Sequence, residues 1–278
     1  NEIYNRYDVT DQRWTRLLDT PLMNGHGKMN AYMDGPILGA DGYYHLCWVW
    51  RDTPDCATNH DLSYARSKDL FHWENAAGEA VTLPISLQTP GVIIDPIPVG
   101  GGIINGCNRL GFDADGRVVI TYHKFDANGN TQVYAARYEY GIWTIRQISN
   151  WAYRWYFSGG GTIPNEIRLG TLLMESGKVL SLPFQHSQYG RGVLRIDAET
   201  LAPLGVADAL IRYPSALTMP TSPFPGMQVQ WVEDEGEVRT AGVRYALRWE
   251  TLPAYFDKPR SGALPGSSPL VLYVLRDQ

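Results

Sequence analysis

The sequence predicts an all-β protein, specifically a β-propeller of four-stranded antiparallel blades, and three observations carry that prediction. The first is composition. Of 278 residues, 12% are aromatic, with 9 Trp and 17 Tyr, while 28 Gly and 18 Pro supply turns. Aromatic and β-branched side chains suit a pleated, half-buried surface, and Gly and Pro set tight turns. The second is a recurring signal, an acid or small residue followed by glycine and then an alternating apolar strand. It occurs at Asp41-Gly42 before YYHLCWVWR, at Asp115-Gly116 before RVVITYHKF, at Ser176-Gly177 before KVLSLPFQH and at Glu235-Gly236 before EVRTAGVRYALRW. The third is the interval between these glycines, 74, 61 and 59 residues, which accommodates several strands per repeat, as a propeller blade requires.

The parts of each repeat follow in order. An apolar strand precedes each turn, in MNAYMDGPIL, INGCNRLGF, EIRLGTLLM and MQVQWVE. A third strand follows in LSYARS, TQVYAARYEY and GVLRIDA, and Trp14, Trp73 and Trp143 mark a fourth. Ser67-x-Asp69…Trp73 is a degenerate Asp-box that lacks the usual Gly and is one residue short. The stretch YNRYDVTDQRWTRLL is expected to be an opening strand, the outer strand of a blade whose earlier strands are missing. The count is about four blades plus that strand, in a single propeller domain over 1–278. A closed propeller usually has more blades, so the chain is expected to be the C-terminal part of a larger, seven-bladed propeller that lacks its N-terminal blades here. Asn1 is not an initiator Met and no signal peptide is visible, which suggests a chain processed, trimmed or cut from something longer. Helical signals are poor; the best is VADALIR, one or two turns between Gly205 and Pro214. PSALTMPTSPFP and FDKPRSGALPGSSP are expected to be long Pro-rich loops.

Composition also excludes functions. The net charge is −5 and no Lys/Arg block is present, so a nucleic-acid footprint is absent. No apolar run approaches the roughly 18 residues of a membrane span. Three cysteines, Cys47, Cys56 and Cys107, form no disulfide framework and allow at most one pair. The expected ligand is small, or neutral to acidic, and an anion has to be met by local Arg and His.

Chain direction reverses at each hairpin, so the end of the second strand and the starts of the first and third strands share one rim. Second-strand ends place Arg51, His123, His186 and Arg248 there; the following loop adds Asn59 and His60. First-strand starts add Asn30, Tyr32, Asn105, Asn108 and Asn165, and the aromatic run NWAYRWYFSGGG adds Tyr153 and Arg154. Each has a structural alternative. A strand-end His can be a satisfied core group, Asn can cap turn backbone, and Arg51 and Arg154, beside Trp50 and Trp155, can stack and pair with a carboxylate. His26 lies between two glycines, His45 beside the Asp41-Gly42 turn at the opposite rim and His72 in the Asp-box, so structural duty is expected of all three. Cys56-x-x-x-His60 with Asp52 or Asp55 is a candidate zinc pair, and a propeller channel a candidate calcium site, but a second Cys/His pair at recognisable spacing is missing and the metal stays unknown. Neither GGG run is followed by a GK[ST] ending, and no G-x-S-x-G is present.

WVWRDTP…NHDLSYARSKDLFHW, then LPI, YHKFDANGNTQVYAARYE and W-x-x-RW-x-FSGGGT resemble the BNR-repeat carbohydrate-active propellers, which include ulvan lyases and lyases of rhamnosyl-glucuronate linkages. The resemblance covers most of residues 1–205 and fades beyond Gly205. It implies cleavage of a 4-linked uronate by β-elimination, with an Arg to neutralise the carboxylate, a base for the C5 proton and an acid for the leaving oxygen. The family's catalytic His pair and its Tyr and Arg precede the segment that resembles Asn1 onward, so those roles are not carried to His26, His45, Tyr122 or Arg137. The resemblance implies Tyr32 as catalytic tyrosine, Arg51 and Arg154 as carboxylate or sulfate contacts, and Asn59, His60 and His123 as their neighbours. The candidate catalytic set is therefore Tyr32, His60 and His123, and the candidate binding set is Asn30, Arg51, Asn59, Tyr153, Arg154 and His186. The expected partner is an acidic, rhamnose- and glucuronate-containing glycan, met by a secreted or periplasmic monomer that needs no cofactor for the chemistry. Two other functions fit the same rim: an α-L-rhamnosidase-like hydrolase using two of Asp52, Asp55, Asp61 and Asp126, and a propeller that binds glycan or protein without catalysis.

Overall fold

A computed structural model describes residues 2–209, 213–234, 240 and 242–276. The chain forms two compact units, residues 1–209 and 210–278. The architecture is all-β, built from antiparallel sheets as expected of propeller blades.

The first unit opens with a hairpin, β1 (Asn5–Asp8) and β2 (Arg13–Arg16). This corrects the single opening strand. Asp8 Oδ1 accepts from the backbone N–H groups of Thr10 and Asp11, and Gln12 takes a positive φ of 49°, so the chain turns back without a glycine. Trp14 lies on this hairpin, exposed and 5.2 Å from the Tyr7 ring, so it closes no core.

The first blade runs β3 (Asn30–Leu38), β4 (Tyr44–Arg51), β5 (Asn59–Ser67), β6 (Trp73–Glu74) and β7 (Ala80–Val81), with β8 (Ile93–Asp95) also on β5. The second is a four-stranded meander, β9 (Arg109–Phe112), β10 (Val118–Phe125), β11 (Thr131–Glu139) and β12 (Ile142–Gln147). The third holds β13 (Ile167–Leu169), β14 (Leu173–Ser176), β15 (Val179–His186), β16 (Gly190–Asp197) and β17 (Pro203–Asp208). β17 occupies part of the predicted VADALIR helix: Val206, Ala207 and Asp208 pair with Leu194, Val193 and Gly192. A short apolar run has no decisive period, and the open edge of β16 captures it. The rest of that stretch, 210–212, lies outside the described residues.

Period-2 alternation explains how these blades pack. On β10, Val118, Ile120 and Tyr122 join Cys47, Val49, Leu62 and Tyr64 of the first blade in one core. Between them, Val119 faces the other way and joins Leu180, Leu182, Leu194 and Ile196 of the third. The second blade is thus apolar on both faces. Leu46, Trp48 and Trp50 of β4 fill a further core against Leu22, Met23, Ile85 and Val92.

The Asp-box closes β5 to β6 despite its missing glycine. Asp69 Oδ1 accepts from the N–H groups of Phe71 and His72, Ser67 Oγ accepts from Leu70, and Leu70 takes φ 67° in place of a glycine. At the turn rim His45 is buried, Nδ1 2.7 Å from Tyr64 Oη and Nε2 3.1 Å from Asp41 Oδ1. In the next blade Arg137 of β11, opposite Val119, has a side chain that is 1% exposed. Its Nη1 lies 2.9 Å from Asp113 Oδ2 and its Nη2 2.7 Å from Glu139 Oε1. The same guanidinium donates to the carbonyls of Ala198 and Glu199 on the third blade.

In the second unit β18 (Gln228–Glu233), β19 (Val243–Thr251) and β20 (Val271–Arg276) form a three-stranded antiparallel sheet. The predicted Glu235-Gly236 turn lies outside the described residues. Arg248 donates to the carbonyls of Leu217 and Met219 and pairs with Glu250 at 2.9 Å. The N–H groups of Thr221 and Ser222 donate to the Glu250 carboxylate and pull its pKa down to about 2.

Candidate functional site

The rim expected from strand direction exists in the first blade as a row. Asn30 pairs with Arg51, and Arg51 with Asn59, across β3, β4 and β5. Tyr32, two residues along β3 and on the same face, places its ring 5.5 Å from the Arg51 guanidinium. Asn105 arrives from the loop before β9, its Oδ1 accepting from Asn59 Nδ2 at 3.1 Å and facing Arg51 Nη1 at 3.5 Å. The other edge of Arg51 is engaged locally: Nε donates to Thr53 O at 3.0 Å and Nη2 to Pro54 O. Arg51 therefore shapes its own loop as well as facing the rim, and only Nη1 is loosely held.

His60 lies one residue further, buried beside a bulge at Trp50. Its Nδ1 is 2.8 Å from Asp61 Oδ2 and its Nε2 3.0 Å from Asp52 Oδ1. An imidazole between two carboxylates is oriented at both nitrogens. Asp61 holds this pose with φ 45°, an uncommon conformation for a non-glycine residue and the kind of local strain found at functional sites. Both nitrogens of His60 face carboxylates and Cys56 is buried, its thiol pushed up chiefly by desolvation. Among the described residues no group of three or more His, Cys, Asp or Glu is placed to hold a metal ion. The three cysteines are free and buried.

The remaining candidates form two further groups. His123, at the end of β10, is fully buried; Nδ1 bonds Gly102 O at 2.8 Å, and burial pushes its pKa down to about 4. A carbonyl can only accept, so Nδ1 carries the proton and Nε2 is a bare acceptor, buried without a partner. Trp155 and Phe157 flank the ring at 5.4 and 6.5 Å. Nearby, Arg154 donates to Gly129 O and stacks between Phe125 and Tyr156, 3.7 and 4.9 Å from the ring centroids.

His186 ends β15 and is boxed by Trp151, Tyr153 and Tyr189 at 4.6, 4.8 and 4.8 Å. Its Nδ1 accepts from the N–H groups of Gln188 and Tyr189, so the proton sits on Nε2, again buried without a hydrogen-bond partner. Burial lowers its pKa to about 4. Tyr153 donates to Glu166, and that bond raises the phenol's pKa. Asn108 is buried and donates to Cys47 Sγ, and so stands in the core rather than on the rim.

One cluster lies outside the predicted set. Asp95 Oδ2 meets both Tyr122 Oη and Lys124 Nζ at 2.5 Å, and Lys124 sits 4.8 Å over the Tyr134 ring. Tyr122 and Lys124 share a face of β10, which the i, i+2 spacing in YHK signals, but Asp95 reaches them from β8, a short strand without sequence periodicity. Burial and the Asp95 charge push the Tyr122 pKa well up. At the opposite rim a cleft of about 520 Å³ is lined by Asp113, Arg117, Lys178 and Glu199. Arg117 there is within ion-pair distance of Asp113, Asp115, Glu139 and Glu199, which makes the wall a charge-paired lock between blades.

A model of the BNR repeat-containing family matches residues 1–151, more than half of the chain. The chain belongs to that family. No curated protein matches it. Among solved structures this family member is similar to AofleA from Arthrobotrys oligospora, at 10% identity and a TM-score of 0.36 over 89% of this chain and 58% of that one. It is also similar to the xylan beta-1,4-xylosidase from Bacillus halodurans C-125, at 14% identity and a TM-score of 0.41 over 88% of this chain and 43% of that one. The chain thus spans less than two thirds of either structure, and neither superposition is close enough to assign an activity.

Proposed function

We propose that this BNR-repeat protein is a polysaccharide lyase that cleaves a glucuronate-containing, rhamnose-rich, ulvan-like glycan by β-elimination. The observation that carries the proposal is the rim of the first blade. One row there combines a planar cation, amides and a phenol in Arg51, Asn30, Asn59 and Tyr32, beside an imidazole held by Asp52 and Asp61. Amides and an aromatic ring suit sugar hydroxyls and C–H faces, and a guanidinium suits a carboxylate.

In the proposed step Arg51 Nη1 turns from its long contact with Asn105 to the uronate carboxylate and stabilises charge at C5. His60 Nε2 turns from Asp52, the more exposed of its two carboxylate partners, and takes the C5 proton, while Asp61 holds the ring through Nδ1. The electron pair forms the C4=C5 double bond, the C4–O bond breaks, and Tyr32 Oη gives its proton to the leaving oxygen. Arg154 meets a second carboxylate or sulfate, and His123, Tyr153 and His186 shape the neighbouring sugar sites. The substrate class implies secretion or the periplasm, and the protein is proposed to act as a monomer.

The test is kinetic. Tyr32→Phe is expected to lower kcat at least tenfold, about 1.4 kcal/mol of transition-state stabilisation, with KM changed much less. A variant that turns over at the parent rate removes the phenol from the mechanism. Product analysis separates this reading from a rhamnosidase-like hydrolase and from a binding-only propeller, because only elimination leaves an unsaturated uronate.

A further inference from the structure

Residues 156–163, in the third blade's entry loop, pack Phe157 and Ile163 against the core and cross at Gly159 to the β4–β5 loop of the first blade. There Asp55 Oδ1 accepts from the N–H of Gly159 at 2.7 Å, and the N–H of Cys56 donates to Gly159 O at 2.8 Å. The glycines make this crossing feasible. Gly159 and Gly161 have φ of +94° and +74°, and a Cβ on Gly160 would lie 3.2 Å from Pro54 O, closer than ordinary contact. The receiving loop is held rigid from below by Arg51, which donates to Thr53 O and Pro54 O, and by Asp55, which also caps the turn at Ala57. Just before the crossing, Trp155 and Phe157 press on His123. The Nε2 of that histidine is buried and bare, an acceptor with no donor. An unpaired acceptor in a dry interior costs free energy, and the cost is relieved if a donor enters.

We infer that residues 156–163 are a lid latched shut by Asp55, and that its opening turns His123 Nε2 into an acceptor for a sugar hydroxyl. The inference rests on the proposed glycan-cleaving function for the identity of that donor, but not for the motion itself. Tyr156, 78% exposed on the outside of the strap, is the handle that a glycan meets first. The latch joins Gly159 to Asp55 and Cys56 by two hydrogen bonds on a glycine-rich segment without strand structure, the kind of element that opens locally without unfolding the sheets.

The structure supplies its own lock. A Cβ at Gly160 would stand 3.8 Å from Pro54 Cβ, the separation typical of a disulfide. In the full chain, Pro54→Cys with Gly160→Cys is expected to cross-link the lid under oxidation and release it on reduction. Two readouts follow. The first is carbethoxylation of His123 by diethylpyrocarbonate, followed by peptide mass spectrometry: slowed at least tenfold in the oxidised form relative to the reduced form, and accelerated at least tenfold by Asp55→Ala relative to the parent. Unchanged hydrogen exchange in β10 and β11 certifies that the fold is intact. The second is uronate elimination, lost on oxidation and restored on reduction. If His123 labels equally fast with the lid locked and free, or stays inert in a folded Asp55→Ala protein, the lid is refuted. If labelling responds as stated but no form cleaves glycan, the lid stands and the lyase function fails.

Discussion

Arg137→Ala is expected to destabilise the first unit by roughly 3–5 kcal/mol, the usual cost of removing one partner from a buried ion pair. The reason is the number of groups that depend on this one side chain. Arg137 is fully buried, and it holds the Asp113 and Glu139 carboxylates of its own blade and the carbonyls of Ala198 and Glu199 on the next. Alanine leaves both carbonyls without that donor and opens a cavity at the blade junction. Arg117 keeps Asp113 and Glu139 partly neutralised, at 2.8 and 3.1 Å, so the loss falls short of two orphaned charges. At about 2–4 °C per kcal/mol for a domain of this size, Tm falls by roughly 10 °C. Arg137→Lys keeps the charge but not the fork and is expected to fall between. Urea unfolding of the three proteins checks the order, and a loss below about 1 kcal/mol for alanine contradicts the role given to the residue.

The second large effect is on pH. His123 is buried neutral and its pKa falls from an ordinary 6.5 to about 4. Between those values the unfolded chain binds a proton that the folded chain refuses. Its contribution to stability is therefore full above about pH 6.5, and is lost as pH falls toward 4, by about 1.4 kcal/mol per unit and roughly 3 kcal/mol in total. His186, whose pKa is lowered to the same value by burial, acts in the same direction and window. The acid loss is expected to be visible in urea midpoints at pH 7 and pH 5, and His123→Gln, which can still donate to Gly102 O, is expected to flatten it. Equal stability at the two pH values in the parent protein argues that neither imidazole is as deeply buried as described.

The blades were legible because each Gly-marked turn announces a strand whose alternation is then dictated by two cores, as on β10, where Val119 and Ile120 face opposite neighbours. The opening hairpin was not, because Asp8 makes its turn with backbone hydrogen bonds rather than with glycine. Nor was β17, whose six residues have no period strong enough to tell strand from helix until β16 is present to pair with them. The site divides along the same line. Asn30, Arg51 and Asn59 could be set in one row from hairpin geometry alone, and pairing register puts them there. That Arg51 also fastens its own loop, that Asp52 and Asp61 both reach His60, and that Trp155 and Phe157 pack on His123 while Gly159 bonds back to Asp55 all depend on tertiary contacts. Asp95 had no signal of its own, since a three-residue strand carries too little pattern to reveal its face.

The central claim is that the rim of the first blade eliminates across a uronate, and the most direct measurement is the ultraviolet absorbance of the unsaturated product. Parent protein and Arg51→Ala are compared on an ulvan-type glycan, with circular dichroism to certify that both are folded. A rising trace for the parent and a rate at least tenfold lower for a folded Arg51→Ala is the predicted result. A flat trace for the parent on a glycan that it demonstrably binds, or an undiminished rate in Arg51→Ala, contradicts it.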